Sequence, residues 1–306
     1  MPGVRAAIDC GTNSTRLLVV GPGDEALARE IRITRLGEGV DEHHRLAGAA
    51  IERTLDVLRE YRAVMDARHV ERARLVATSA VRDAANREEF LEAAGHAAGV
   101  VAELLTGTEE GALAYRGAVG GLGPGAGDDV VVDVGGGSTE LVAAAGGQPR
   151  VISLDIGCVR LTERCFLHDP PLPEEVADAA HSVDDALAHA ERALLELRRR
   201  GSGRRLIGLA GTVATLSMLE QGLAAYQRER VHGSVLTLAC VERWCEVLAG
   251  ESSADRLTRP GLMPGREDVI LAGALVLRQV MRRFGFERCV VSEADILDGL
   301  VASLRP

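Results

Sequence analysis

One pattern occurs twice in this chain and constrains everything else. Asp9-x-Gly11-x-x-Ser14-Thr15-x-Leu17 returns as Asp133-x-Gly135-x-x-Ser138-Thr139-x-Leu141, at a constant offset of 124 residues (133 − 9) and without a gap. Each copy lies between apolar runs: Val4 to Ile8 and Thr15 to Val20 in the first, Asp129 to Val134 and Thr139 to Ala144 in the second. Apolar runs on either side of a Gly-containing turn predict a strand, a hairpin and a second strand. A repeat of this kind predicts two related units rather than one. The chemistry of such a hairpin suits phosphate. Successive backbone N–H groups are exposed at the turn, and small residues let anionic oxygens approach them. An acid at the end of the strand can hold a divalent cation directly or through water.

Around the two hairpins, strand-like and helix-like segments alternate, which predicts an α/β protein. Further strands are expected at Glu30–Leu36, Arg74–Ala77, 204–209 and Cys289–Ser292. Helices are expected at Ala47–Asp66, Asn86–Ala98, Glu109–Gly120, 173–200, Thr212–Leu223 and Ile296–Leu304. The glycine-rich run from Gly120 to Gly127 is the strongest break. Two domains are expected, residues 1–124 and 125–306, with the final helix 296–304 packing back on the first.

Composition excludes several classes. The chain has 306 residues, 46% apolar but only 3% aromatic, so its cores must be built from Ala, Val, Leu and Ile. Lysine is absent, which removes the P-loop lysine and Schiff-base chemistry, while arginine remains a strong phosphate ligand. A net charge of −10 disfavours nucleic acid as a partner. The six cysteines form no Cys-x-x-Cys pair and no zinc-finger spacing. No basic segment followed by an apolar run opens the chain, and no membrane span is expected, so a cytoplasmic location is expected.

Duplicated strand-Asp-x-Gly hairpins resemble those of the actin-like ATPase superfamily, whose fold is RNase H-like. Within it, several segments resemble the Ppx/GppA family of exopolyphosphatases and guanosine pentaphosphate phosphatases. These are residues 7–14 (Ala-Ile-Asp-Cys-Gly-Thr-Asn-Ser), 77–84 (Ala-Thr-Ser-Ala-Val-Arg-Asp-Ala), 106–110 (Thr-Gly-Thr-Glu-Glu), 133–140 (Asp-Val-Gly-Gly-Gly-Ser-Thr-Glu) and 210–216 (Ala-Gly-Thr-Val-Ala-Thr-Leu). The late run 256–268, with Pro260-Gly261 and Pro264-Gly265-Arg266-Glu267-Asp268, and Val291-Ser292-Glu293 are similar too. The resemblance covers nearly the whole chain, in order, and is to the family's short two-domain form.

The resemblance implies a metal-dependent hydrolase, with Mg²⁺ as the cofactor and Mn²⁺ as an alternative. It would remove a terminal phosphate from inorganic polyphosphate, preferably of short chain length, or from pppGpp. Homodimerisation is an expectation of the family. Glu110 is implied as the base that activates water, against the reading of a helix-opening acid. Glu109 is its alternative. Asp133 and Glu140 match the metal-associated acids, and Asp9 is their symmetric counterpart. For phosphate binding the candidates are Asn13, Ser14, Arg16, Arg82, Gly136, Gly137, Ser138, Thr139, Gly211 and Thr212. Asn13 has a second reading as a left-handed turn residue, and Arg82 as a solvated surface residue. The arginines at 198–200 and 204–205 solvate a helix end or form a polyphosphate track. Two rivals stand beside the hydrolase: an actin-like small-molecule kinase, and a non-catalytic sensor of (p)ppGpp or polyphosphate.

Overall fold

In the computed structural model, residues 3–123, 129–145, 148–198 and 205–305 are described. β1 (Arg5–Cys10) is buried along its whole length and returns through residues 11–13 as β2 (Ser14–Val20). The Gly11 N–H closes this turn on the Ser14 carbonyl at 3.1 Å. A second turn, closed by the Gly21 N–H on the Glu25 carbonyl at 2.9 Å and containing a left-handed Asp24 (φ 64°), starts β3 (Ala26–Ile33).

The strand expected at Glu30–Leu36 therefore begins and ends earlier. It pairs with β2 almost from the turn outward. It stops where the Thr34 and Arg35 N–H groups both donate to the Asn13 carbonyl (3.1 and 3.0 Å) and Arg35 turns left-handed (φ 48°). Asn13 is not among the residues of positive φ, so its left-handed reading is replaced: Arg35 makes that turn and Asn13 anchors it.

α1 (Val40–His43) and α2 (Gly48–Ala67) follow. On α2 the buried residues Ala50, Thr54, Leu58, Tyr61 and Met65 recur every three or four positions, a single stripe laid on the sheet. Burying a leucine-sized side chain there contributes about 2 kcal/mol. β4 (Arg72–Ala77) adds parallel to β1 and leads into α3 (Ser79–Arg82) and α4 (Arg87–Ala98). β5 (Ala102–Leu104) adds parallel to β4 and leads into α5 (Gly107–Leu122).

α5 runs on through Gly120 and Gly121, where a break was expected; residues 124–127 of that run lie outside the described residues. Gly117 and Gly121 serve close approach instead. A Cβ at Gly117 would sit 1.8 Å from the Asp295 carbonyl oxygen, and one at Gly121 2.5 Å from the Ala294 Cβ.

The second hairpin joins β6 (Val130–Val134) to β7 (Thr139–Ala145), and β8 (Gln148–Leu154) pairs with β7. Then come α6 (Cys158–Cys165), α7 (Pro173–Arg198), β9 (Leu206–Leu209), α8 (Ala210–Gln221), α9 (Arg228–Val231) and β10 (Val235–Thr237). α10 (Leu238–Ala249), α11 (Ser253–Leu257), α12 (Ile270–Phe284), β11 (Arg288–Val291) and α13 (Ile296–Ser303) complete the chain. α12 is buried nearly all round, from Ile270 to Met281, and forms the centre of the second core.

The chain divides into two units, Met1–Gly117 with Asp295–Pro306, and Ala118–Ala294. The first holds a sheet in the order β3-β2-β1-β4-β5. The second holds β8-β7-β6-β9-β11-β10, so its first five strands repeat that order. In each, three antiparallel strands are followed by two parallel ones. This is the duplicated actin-like α/β fold.

α13 closes the first unit, packing on β1, β2 and β4. Arginines hold it there. Arg16 Nη1 donates to Asp295 Oδ2 at 2.5 Å, Arg29 Nη2 to both Asp298 oxygens at 2.8 Å, and Arg74 Nη1 to Ser303 Oγ at 2.8 Å. Among the described residues no helix is long and apolar enough to cross a membrane.

Candidate active site

In the first unit the parallel strands β1, β4 and β5 end at one edge of the sheet, where open α/β sheets bind ligands. Three segments leave that edge: the turn 11–13, α3 with Arg82, and the start of α5 with Glu109 and Glu110. The two glutamates differ in their surroundings. Glu109 Oε2 accepts from the Thr106 N–H (2.9 Å) and Oγ1 (2.8 Å), while the Glu109 N–H donates back to Thr106 Oγ1 (3.2 Å). This is a reciprocal cap on α5, and these bonds hold the Glu109 carboxyl below its ordinary value. Glu110 takes no part in it. Its carboxylate is mostly covered and lies 3.4 Å from Arg82 Nη1, which also donates to the Leu105 carbonyl at 2.8 Å. Arg82 is thus fixed rather than solvated.

Asp9 is buried and stands directly opposite Arg16 across the first hairpin. Arg16 Nε and Nη2 both donate to Asp9 Oδ2, at 3.0 and 2.5 Å. Burial pushes the Asp9 carboxyl up, and the Arg16 charge only partly offsets this. Arg16, expected at phosphate, is directed at Asp9 and Asp295. Asn13 is buried beside Ser14 in the turn.

In the second unit the register places Asp133 opposite Glu140, and Glu140 opposite Ser153 on β8. Both acids are buried, and Ser153 Oγ donates to Glu140 Oε1 at 2.7 Å. The turn below them repeats the first, with the Gly135 N–H on the Ser138 carbonyl at 3.0 Å. Its carbonyls are committed to the start of α6: Gly135 accepts from the Cys158 N–H and Gly136 from the Val159 N–H, both at 2.9 Å. The contact is so close that a Cβ at Gly157 would meet the Gly136 oxygen at 2.3 Å. With the carbonyls of Gly135 and Gly136 turned to α6, the amides of the Gly136-Gly137-Ser138 run are the groups suited to an anion. Thr139 is fully buried and its hydroxyl donates to the Ile156 carbonyl at 2.6 Å, so it braces the turn from beneath.

Gly211 and Thr212 open α8 after β9, preceded by a left-handed Ala210 (φ 67°). The buried Arg266 packs on Gly211, where a Cβ would come 1.8 Å from Nη1. Arg266 was not a candidate from sequence, because a single Arg in an irregular run has no pattern. The resemblance of the run 256–268 was the signal that could have marked it. Cys158 lies near this arginine, but burial pushes its thiol up to about 11, which withholds a thiolate nucleophile. All six cysteines are free.

Asp133 and Glu140 are hard oxygen donors of the kind a divalent cation takes. Among the described residues no group of three potential ligands gathers. Two carboxylates with waters and phosphate oxygens completing the shell fit Mg²⁺, which seldom has a full protein cage. Arginines 199, 200 and 204 lie outside the described residues, and Arg205 pairs with Asp129 at 2.6 Å.

The sequence profile of the Ppx/GppA phosphatase family matches residues 20–306. The chain belongs to this family. As a Ppx/GppA protein it is a hydrolase. It is 44% identical to exopolyphosphatase 2 of Mycobacterium tuberculosis over 316 aligned residues, covering 98% of each chain. A solved exopolyphosphatase-like protein superposes with a TM-score of 0.91 at 36% identity, covering 98% of each chain. The Ppx/GppA family member of Aquifex aeolicus superposes with a TM-score of 0.79 at 36% identity, covering 99% of this chain and 97% of the other.

Proposed function

We propose that this Ppx/GppA protein removes the terminal phosphate of inorganic polyphosphate, short chains preferred, or of pppGpp, and that it depends on a divalent cation. The observation that carries the reading is the second hairpin. Two buried carboxylates, Asp133 and Glu140, face each other directly above a turn of three glycines and a serine. Such a site calls for a cation and an anion together, as a metal-bound phosphate provides. The exopolyphosphatase relative supports polyphosphate as the substrate.

Asp133 and Glu140 would hold the cation, and the amides of Gly136, Gly137 and Ser138 would bind phosphoryl oxygens. When bound, the cation supplies neutralising charge to phosphate oxygens. Glu110, spared from the cap by Glu109, is oriented by Arg82 and takes the proton of the attacking water. In-line attack breaks the terminal phosphoanhydride bond, and the shortened chain leaves as the conjugate phosphate.

Phosphate release from short and long polyphosphate and from pppGpp, with Mg²⁺, tests this in wild type and Glu110→Gln. Release that falls by about 10²- to 10⁴-fold in a folded Glu110→Gln variant supports the reading. Tight binding of these compounds without release by the wild type contradicts it and favours the sensor.

A further inference from the structure

Ser79 follows β4 by two residues and is 2% exposed, yet its Oγ has no hydrogen-bond partner among the described residues. A buried hydroxyl left unpaired destabilises the fold, so its presence asks what it is kept for. Strand register fixes where it lies. Cys10 on β1 pairs with Ala77 on β4, and Ala77 with Leu104 on β5. Ser79 therefore leaves the sheet at the same edge as the turn 11–13 and the Leu105–Thr106 segment.

Two residues that follow it in the chain tie this segment to its surroundings. Next to it, Ala80 lies against the Gly37 backbone, and so does Thr12 of the first turn. A Cβ at Gly37 would meet Ala80 Cβ at 3.0 Å and Thr12 Cγ2 at 2.2 Å. Three residues further on, Arg82 holds the Leu105 carbonyl and the Glu110 carboxylate. Ser79 thus leaves the sheet at the edge it shares with the first hairpin turn and with the segment that leads to Glu110. A neutral donor in the company of a guanidinium favours an anionic oxygen over a neutral one.

We propose that Ser79 is a further substrate-contacting residue, whose hydroxyl donates to a non-bridging phosphoryl oxygen held near Glu110. The proposal rests on the phosphatase reading above. The hydroxyl adds a contact that the motif glycines and arginines do not make, and the cost of leaving it unpaired in the free protein is recovered when substrate arrives.

The test is Ser79→Ala, with Ser79→Cys as a near-isosteric variant bearing a weak donor. Two readouts separate function from structure. With tripolyphosphate as substrate, KM rises about tenfold in both variants while kcat stays within about twofold, the mark of a binding contact. Without ligand, the melting temperature of Ser79→Ala is unchanged or higher by about 1–3 °C, because an unpaired hydroxyl has been removed. A lower melting temperature with unchanged KM overturns the proposal and makes Ser79 structural. Wild-type hydrolysis of tripolyphosphate, matched in KM and kcat by Ser79→Ala, overturns the Ser79 proposal alone. A wild type that neither hydrolyses tripolyphosphate nor is thermally stabilised by it overturns the phosphatase reading and this proposal with it.

Discussion

Asp9 and Asp133 occupy the same place in two copies of one hairpin, yet they face opposite charges. Across the strand from Asp9 is Arg16; across from Asp133 is Glu140. The backbone is otherwise shared. Gly11 and Gly135 close the same turn, and Leu17 and Leu141 enter the two cores. Thr15 and Thr139 are both fully buried, one on Thr34 Oγ1 at 2.9 Å and one on the Ile156 carbonyl. Most of the repeat is therefore about folding a tight hairpin, and a single cross-strand residue sets what the hairpin can do. In the first copy the guanidinium pairs with one oxygen of the acid from within and ties it to Asp295 at the head of α13. In the second, the negative charge is doubled, which leaves that copy as the one suited to recruiting a cation.

The variants that break this contrast most strongly are at Glu110 and Glu140. Glu110→Gln lowers phosphate release by about 10²- to 10⁴-fold with the melting temperature preserved. Glu140→Gln removes one of two facing carboxylates. We expect release to fall at least about a hundredfold, with a higher Mg²⁺ requirement, while the metal-free protein melts no lower because a like-charge pair is relieved. A loss of fold in Glu140→Gln would show that the acid is structural.

In the first hairpin the effect moves from activity to stability. Arg16→Met leaves Asp9 and Asp295 without their shared cation, and denaturant unfolding of the variant shows a loss of about 3 kcal/mol. Smallest is Glu109→Gln, which weakens the α5 cap by about 0.5–1 kcal/mol and leaves kcat near wild type. The Glu109 carboxyl is held below its ordinary value, so its contribution is present at neutral pH. That contribution is lost as pH falls through and below the usual glutamate range. A pH series of melting temperatures in wild type and Glu109→Gln should converge in acid; curves that stay parallel contradict the cap.

Much of this was legible in sequence because the hairpins are local. A strand, a Gly turn and a strand announce themselves within a dozen residues, and the offset of the repeat reports the duplicated sheet. The segments with no such pattern were not legible. β5 and β10 have three residues each, too few for a periodicity, and β8 holds Pro149 and Arg150 in its first half. The resemblance names Glu110 with Glu109 as its alternative; that Glu109 lies in the Thr106 cap needed the structure. The role of Arg16 needed Asp295, 279 residues away in sequence. Ser79 and Arg266 lie in motif segments, but the missing partner of the hydroxyl and the packing of the guanidinium on Gly211 became visible only through burial.

The contrast between the hairpins is tested most directly by Mn²⁺ binding, followed by electron paramagnetic resonance with tripolyphosphate present, in wild type, Glu140→Gln and Asp9→Asn. Bound Mn²⁺ should weaken about tenfold or more in Glu140→Gln and hold near wild type in Asp9→Asn. Equal weakening in both variants, or none in Glu140→Gln, would contradict the assignment of the cation to the second hairpin.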